Sequence, residues 1–233
     1  MEIELHSCDV KFIKIIAPYL HLFLFHASKK DPNYCQIDVL ECQKIMYLSL
    51  NNVVNGRDWI EEHFCSLREL KTFILNRCQD IEHFRVWNDK LERVVLCQCP
   101  ELTSIEVNVT SLKSFMFERA HRGKVCNIKF LNSKYIRDLS IIKGGDLITD
   151  QWLEAQLVKM TRLERLRLKD CNSFRKIKVY HEKLQILELN SCHGLVEADI
   201  DTPQLVSFMY HGDMIDFGKM VTRTSCSAIL SMN

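Results

Sequence analysis

Apolar residues recur along this sequence in one phrase, L-x-x-L-x-L-x-x-C-x-x-L-x-x-I-x-V. One copy runs Leu91, Val94, Leu96, Cys99, Leu102, Ile105, Val107, and another Leu163, Leu166, Leu168, Cys171, Phe174, Ile177, Val179. Further copies run Leu184, Leu187, Leu189, Cys192, Leu195, Ala198, Ile200 and Leu70, Phe73, Leu75, Cys78, Ile81, Phe84, Val86. Partial copies begin at Ile45, Leu112, Ile136 and Leu205. The step from Leu70 to Leu91 is 21 residues, as are those from Leu163 to Leu184 and from Cys78 to Cys99. Apolar positions repeating at such a step define a leucine-rich repeat.

The L-x-L piece alternates with period 2, so it predicts a strand with one buried face. The I-x-V piece predicts a second short strand on the opposite side of a thin core. No coil of this kind buries its apolar face alone, so the coils must stack. Two coils are longer: Ile45 to Leu70 is 25 residues and Ile136 to Leu163 is 27. The extra residues predict a helix in place of the second strand, over 58–65 and again over 149–160, with Thr149 as its N-cap. The expected fold is therefore a strand-rich α/β leucine-rich-repeat solenoid. It is right-handed, has about 21–27 residues per coil, and carries two or three short convex-side helices.

Residues 1–216 are assigned to this solenoid and 217–233 to an irregular tail or weak cap. Val10-x-x-Ile13-x-Ile15 aligns with Leu195-x-x-Ala198-x-Ile200 at an offset of 185. The chain is thus expected to start within a coil and without an N-terminal cap, as a piece of a longer design.

Composition narrows the function classes. Lys and Arg total 31 and Asp and Glu 30, a formal net charge of +1, which gives no global attraction to nucleic acid or an anionic membrane. The longest apolar stretch, Phe12 to Phe25, is interrupted by Lys14, Pro18 and His21 and is too short to span a bilayer. The cysteine count of 11 is odd, and Met1-Glu2-Ile3-Glu4 lacks a basic leader. Reduced thiols and a cytoplasmic or nuclear location are expected.

From about Leu91 to Gly212 the sequence resembles the repeat region of plant F-box/leucine-rich-repeat proteins. The resemblance is carried by Thr149-Asp150-Gln151-Trp152-Leu153, by Leu163-Glu164-Arg165-Leu166-Arg167-Leu168-Lys169-Asp170-Cys171, and by the 195–205 phrase closing with Tyr210-His211-Gly212-Asp213. It implies a plant origin and repeats that choose a protein for ubiquitination. It implies a Skp-type adaptor as partner only where an F-box lies upstream, because no segment here resembles one. A fragment of a plant immune-receptor repeat domain and a non-functional truncated gene copy are the alternatives. The 21-residue coil and the Asp201-Thr202-Pro203 phrase favour the F-box family.

Candidate chemistry is sparse. Cys78, Cys99, Cys171 and Cys192 form one column, one thiol per coil. Each is expected to turn inward and donate to a backbone carbonyl of the next coil, a role that suits a small, easily buried residue. Cys97-Gln98-Cys99 has no second pair with which to make a zinc site. Gly144-Gly145-Asp146 is a turn lacking the Lys and Ser/Thr of a phosphate loop. No catalytic, cofactor or metal residues are assigned. The basic run from Arg162 to Lys178 is the one charged feature. Strand alternation points Arg165, Arg167 and Lys169 out of the concave sheet, where solenoids bind. Arg93, Val95, Met116, Ile186 and Glu188 share that face, with Ile74, Val95, Met116 and Ile186 as a modest apolar stripe. The expected function is non-catalytic recognition of a protein ligand on this sheet. The outward cations form a site for an acidic or phosphorylated segment, or else a solvated face.

Overall fold

A computed structural model describes residues 1–8, 10–27, 35–54, 59–64, 66–145, 148–222 and 225–232, without the side chains of Ser7, Cys8 and Glu61. The chain divides into two compact units, one of Met1–Leu112 with Arg119–Asn132, the other of Lys113–Glu118 with Ser133–Asn233.

The first unit holds β1 (Glu2–Cys8), β2 (Phe12–Lys14), β3 (Leu22–Ala27), β4 (Gln36–Asp38), β5 (Tyr47–Asn51), α1 (Trp59–Phe64), β6 (Thr72–Asn76), β7 (His83–Val86), β8 (Arg93–Cys97), β9 (Ser104–Asn108) and β11 (Asn127–Asn132). The second holds β10 (Ser114–Glu118), β12 (Asp138–Ile142), α2 (Asp150–Lys159), β13 (Arg165–Lys169), β14 (Lys176–Tyr180), β15 (Ile186–Asn190), β16 (Glu197–Asp201), β17 (Ser207–Gly212), β18 (Met220–Val221) and β19 (Ser227–Met232).

Each unit is a strand-rich parallel leucine-rich-repeat solenoid. In the first unit the L-x-L strands run in the order β1-β3-β5-β6-β8, and the second strands form β2-β4 and β7-β9-β11. In the second unit the orders are β10-β12-β13-β15-β17-β19 and β14-β16-β18. The two halves of the repeat phrase do make two strands per coil. Their inward residues, such as Phe73, Leu75, Leu166, Leu168, Leu187 and Leu189, are almost completely buried.

The register follows the repeat, because matching apolar faces leave no other pairing. Leu166 pairs with Leu187 and Leu168 with Leu189, so the 21-residue step is one rung of the ladder.

Among the described residues, β5, β6, β8, β12, β13 and β15 are each followed directly by a non-glycine residue of positive φ: Asn52, Arg77, Gln98, Lys143, Asp170 and Ser191. This turns the chain sharply off the sheet. In most of them the residue's amide reaches forward to the end of the next strand, as in Arg77 N to Cys97 O (2.8 Å) and Asp170 N to Asn190 O (2.9 Å). The thiol one residue later points the other way. Cys78 Sγ donates to Leu50 O at 3.4 Å and Cys171 Sγ to Ile141 O at 3.7 Å, both in the preceding coil. Cys192 Sγ reaches Leu168 O at 3.7 Å in the same sense. The expectation of acceptors in the next coil is corrected by this geometry, since the amide before each thiol already takes the forward carbonyl.

Helices stand in the two long coils. Thr149 caps α2, accepting from Trp152 N at 3.3 Å. Helix α2 packs against β14 and α1 against β7, in the place of a second strand. The ends of the first expected helix, positions 58 and 65, lie outside the described residues. Residues 217–233, expected as an irregular tail or weak cap, carry β18 and β19, which pair in parallel with β16 and β17. No described helix is long and apolar enough to cross a membrane.

Candidate functional site

The outward face of the L-x-L strands displays one residue in two, and the register places these in rows. In the second unit one row is Ser114, Asp138, Arg165, Ile186, Ser207, and the next is Met116, Ser140, Arg167, Glu188, Met209. A third is Glu118, Ile142, Lys169, Asn190, His211. Arg165, Arg167, Lys169, Met116, Ile186 and Glu188 therefore lie on one sheet, as their alternation requires. Arg93 and Val95 lie on the sheet of the first unit.

The arginines are not isolated cations. Arg165 stands opposite Asp138 and binds it through both Nε and Nη2, the Nη2 bond to Oδ2 measuring 2.5 Å. That bidentate bond raises the guanidinium pKa above its ordinary value. Arg167 Nε donates to Glu188 Oε1 at 3.0 Å across the next rung. Lys169 is exposed and has no ion pair among the described residues. The face thus presents one lone ammonium beside two internally neutralised pairs.

The apolar positions separate. Ile74 and Val95 are register partners in the first unit, but Val95 is only 8% exposed. In the second unit Met116 and Ile186 occupy different rows, with Asp138, Ser140, Arg165 and Arg167 on the rungs between. They do not make one stripe there. Met209, beside Glu188, is a half-buried apolar residue that the repeat phrase does not single out. The signal for these pairings is in the spacing: subtracting 27 from Arg165 gives Asp138, and adding 21 to Arg167 gives Glu188.

Cys171 and Cys126 are set up for packing. Burial pushes Cys171 up to about 12 against weaker opposing hydrogen bonds, and burial alone pushes Cys126 up to about 12. A thiol so shifted is not a nucleophile near neutral pH. Among the described residues no group of three or more His, Cys, Asp or Glu side chains is placed to hold a metal ion.

A family model described as At1g61320/AtMIF1, LRR domain, matches residues 146–231. The match lies inside the second unit and covers the strands that carry Arg165, Arg167, Lys169, Ile186 and Glu188. No curated protein matches the chain, and no solved structure does.

Proposed function

We propose that the protein is a non-catalytic recognition module whose outward sheet in the second unit holds a protein ligand. The observation that carries this reading is the row structure of that sheet. Parallel strands present side chains on a fixed lattice, and on it Arg165 and Arg167 are pre-ordered by Asp138 and Glu188 rather than left to solvent. A guanidinium held by one carboxylate keeps further N–H donors for a second. Lys169 extends the basic edge, and Ile186, Met116 and Met209 supply dispersed apolar contact. A polar rim with apolar points is what a protein interface uses. The solenoid fold supports binding rather than turnover.

The finer reading is a substrate-binding repeat region like that of F-box type ubiquitin-ligase receptors, acting in the cytoplasm or nucleus. The sequence phrases at 149–153 and 163–171 favour it. Its test is to map the 5′ end of the native transcript and purify the full product. A reading frame that continues upstream into an F-box, with co-purification of a Skp-type adaptor, is the expected result. A transcript that starts at Met1 removes the ligase role and leaves the recognition role standing.

A further inference from the structure

On the side opposite the outward sheet, α2 and β14 flank an open channel of about 300 Å³ lined by Glu154, Leu157, Val158, Lys178 and Tyr180. Its apolar walls are unusually open to solvent: Val158 is 80% exposed and Tyr180 55%. All five residues lie within the second unit.

The channel borders a strand edge. β14 is the first strand of the order β14-β16-β18. Along these strands the inward residues donate forwards, as Ala198 N does to Asp216 O (2.9 Å) and Ile200 N to Lys219 O (2.6 Å). The outward residues donate backwards, as Glu197 N does to Arg175 O (3.2 Å). Lys178 and Tyr180 are outward residues of β14, so their amides are aimed back at the side where α2 replaces a strand. At the start of this edge the Asp150 carboxylate accepts the amides of Arg175 and Lys176, both at 3.1 Å. Among the described residues Lys178 N and Tyr180 N have no such partner. A row of unpaired strand amides is a template for another chain.

Charge selects the occupant. Lys176 is held by Glu197 and Lys219 by Asp201. Lys178 has no ion pair among the described residues; its register partner Asp199 instead accepts Lys219 N at 3.0 Å. Lys159 and Arg175 likewise have no ion pair among the described residues, whereas Asp150 is committed to backbone amides. Glu154 is the one carboxylate on the channel wall, and it sits on the helix side. An entering acidic group is therefore directed to the strand side.

An exposed aromatic beside a helix recurs in the first unit. There a groove past the ends of α1 and β7 includes Phe64 and Trp87, the latter 49% exposed. Trp87 follows Cys78 by 9 residues and Tyr180 follows Cys171 by 9, so the two aromatics hold one repeat position. In coils bordered by strands on both sides that position is Asn108 or Asp201, and in the first coils it is the aliphatic Ile16 or Leu40. An exposed aromatic appears where a helix has opened the edge.

We infer that the channel between α2 and β14 binds an extended acidic segment of a partner protein. The segment adds to the edge of β14 through Lys178 N and Tyr180 N, seats one large apolar side chain against Val158 and Tyr180, and sets a carboxylate on Lys178.

The test is selection of a phage-displayed random dodecapeptide library on the full chain, followed by fluorescence anisotropy on the enriched peptides. The variants are Lys178→Glu and Tyr180→Ala, both at exposed positions, and Arg167→Glu on the opposite sheet. Far-UV circular dichroism checks that all three fold. The expected peptides carry acidic residues around a large apolar one, and they bind about tenfold more weakly to each channel variant, as loss of an anchor or a charge contact does. They bind Arg167→Glu as they bind the parent. Their binding also slows hydrogen exchange across 176–181. Failure to enrich such peptides, or unchanged affinity for both channel variants, overturns the inference. Loss of binding through Arg167→Glu alone overturns it too, and assigns the peptides to the outward sheet.

Discussion

His181 closes the coil behind α2 by donating its Nε2 proton to the carbonyl of Met160 at 2.9 Å. Its Nδ1 accepts the amide of Lys183 at 3.2 Å, so the ring is committed to one neutral tautomer. Asn88 has the same role behind α1: Nδ2 donates to Leu67 O at 2.8 Å and Oδ1 accepts Lys90 N at 3.0 Å. Each carbonyl also accepts the amide three residues on, Leu163 N at 2.9 Å and Leu70 N at 3.1 Å, so the side chain supplies its second donor.

Burial lowers the His181 pKa below 6.5, against the raising effect of the Met160 carbonyl, and burial lowers His63 in the same way. The unfolded chain therefore binds more protons than the folded one between the depressed values and about 6.5. Stability is complete above that value and falls as pH drops through the window. Thermal unfolding at pH 7.5, 6.5 and 5.5 should show a declining midpoint. His181→Asn should keep the fold and reduce the acid sensitivity, while His181→Ala should cost about 1 kcal/mol by removing one of the two donors to the Met160 carbonyl.

Thr149 offers a local test of α2. Its hydroxyl accepts Trp152 N, and Thr149→Ala should cost about 1 kcal/mol. Thr149→Ser should cost less. Urea unfolding followed by circular dichroism separates the two.

The turn residues of positive φ predict a gain. Ser191 has φ 51° and uses only its amide, to His211 O, in the ladder. Glycine takes this conformation without strain, so Ser191→Gly should stabilise the chain by about 0.5–1 kcal/mol. A lower melting midpoint would show that the side chain matters more than the backbone angle.

Thiol labelling checks the role of the cysteine column. Cys171 and Cys126, pushed to about 12, should resist iodoacetamide at pH 8 in the folded protein, while the part-exposed Cys97 and Cys226 react first. Rapid modification of Cys171 would mean that its coil opens.

The fold was legible because its two periods are written into the chain. The 21-residue step set the register, the L-x-L alternation set the buried face, and Thr149 marked the start of α2. Two things were harder to read. The acidic partners of Arg165 and Arg167 sit one coil away, at steps of 27 and 21, outside the basic run itself. In 217–233 the leucine positions fall to Ala228 and Leu230, opposite Phe208 and Tyr210. With the whole of β19 exposed, the pattern is lost there although the strand remains. The channel beside β14 depends on a missing strand, and periodicity shows only the strands that are present.

The outward sheet of the second unit is proposed as a protein-binding face. Its most direct test is quantitative affinity capture from native extract with the parent chain and with Arg167→Glu/Lys169→Glu, both exposed positions on one sheet. The expected result is a defined set of proteins held by the parent and depleted about tenfold or more by the charge reversal. Capture of the same proteins at equal yield by both would contradict it.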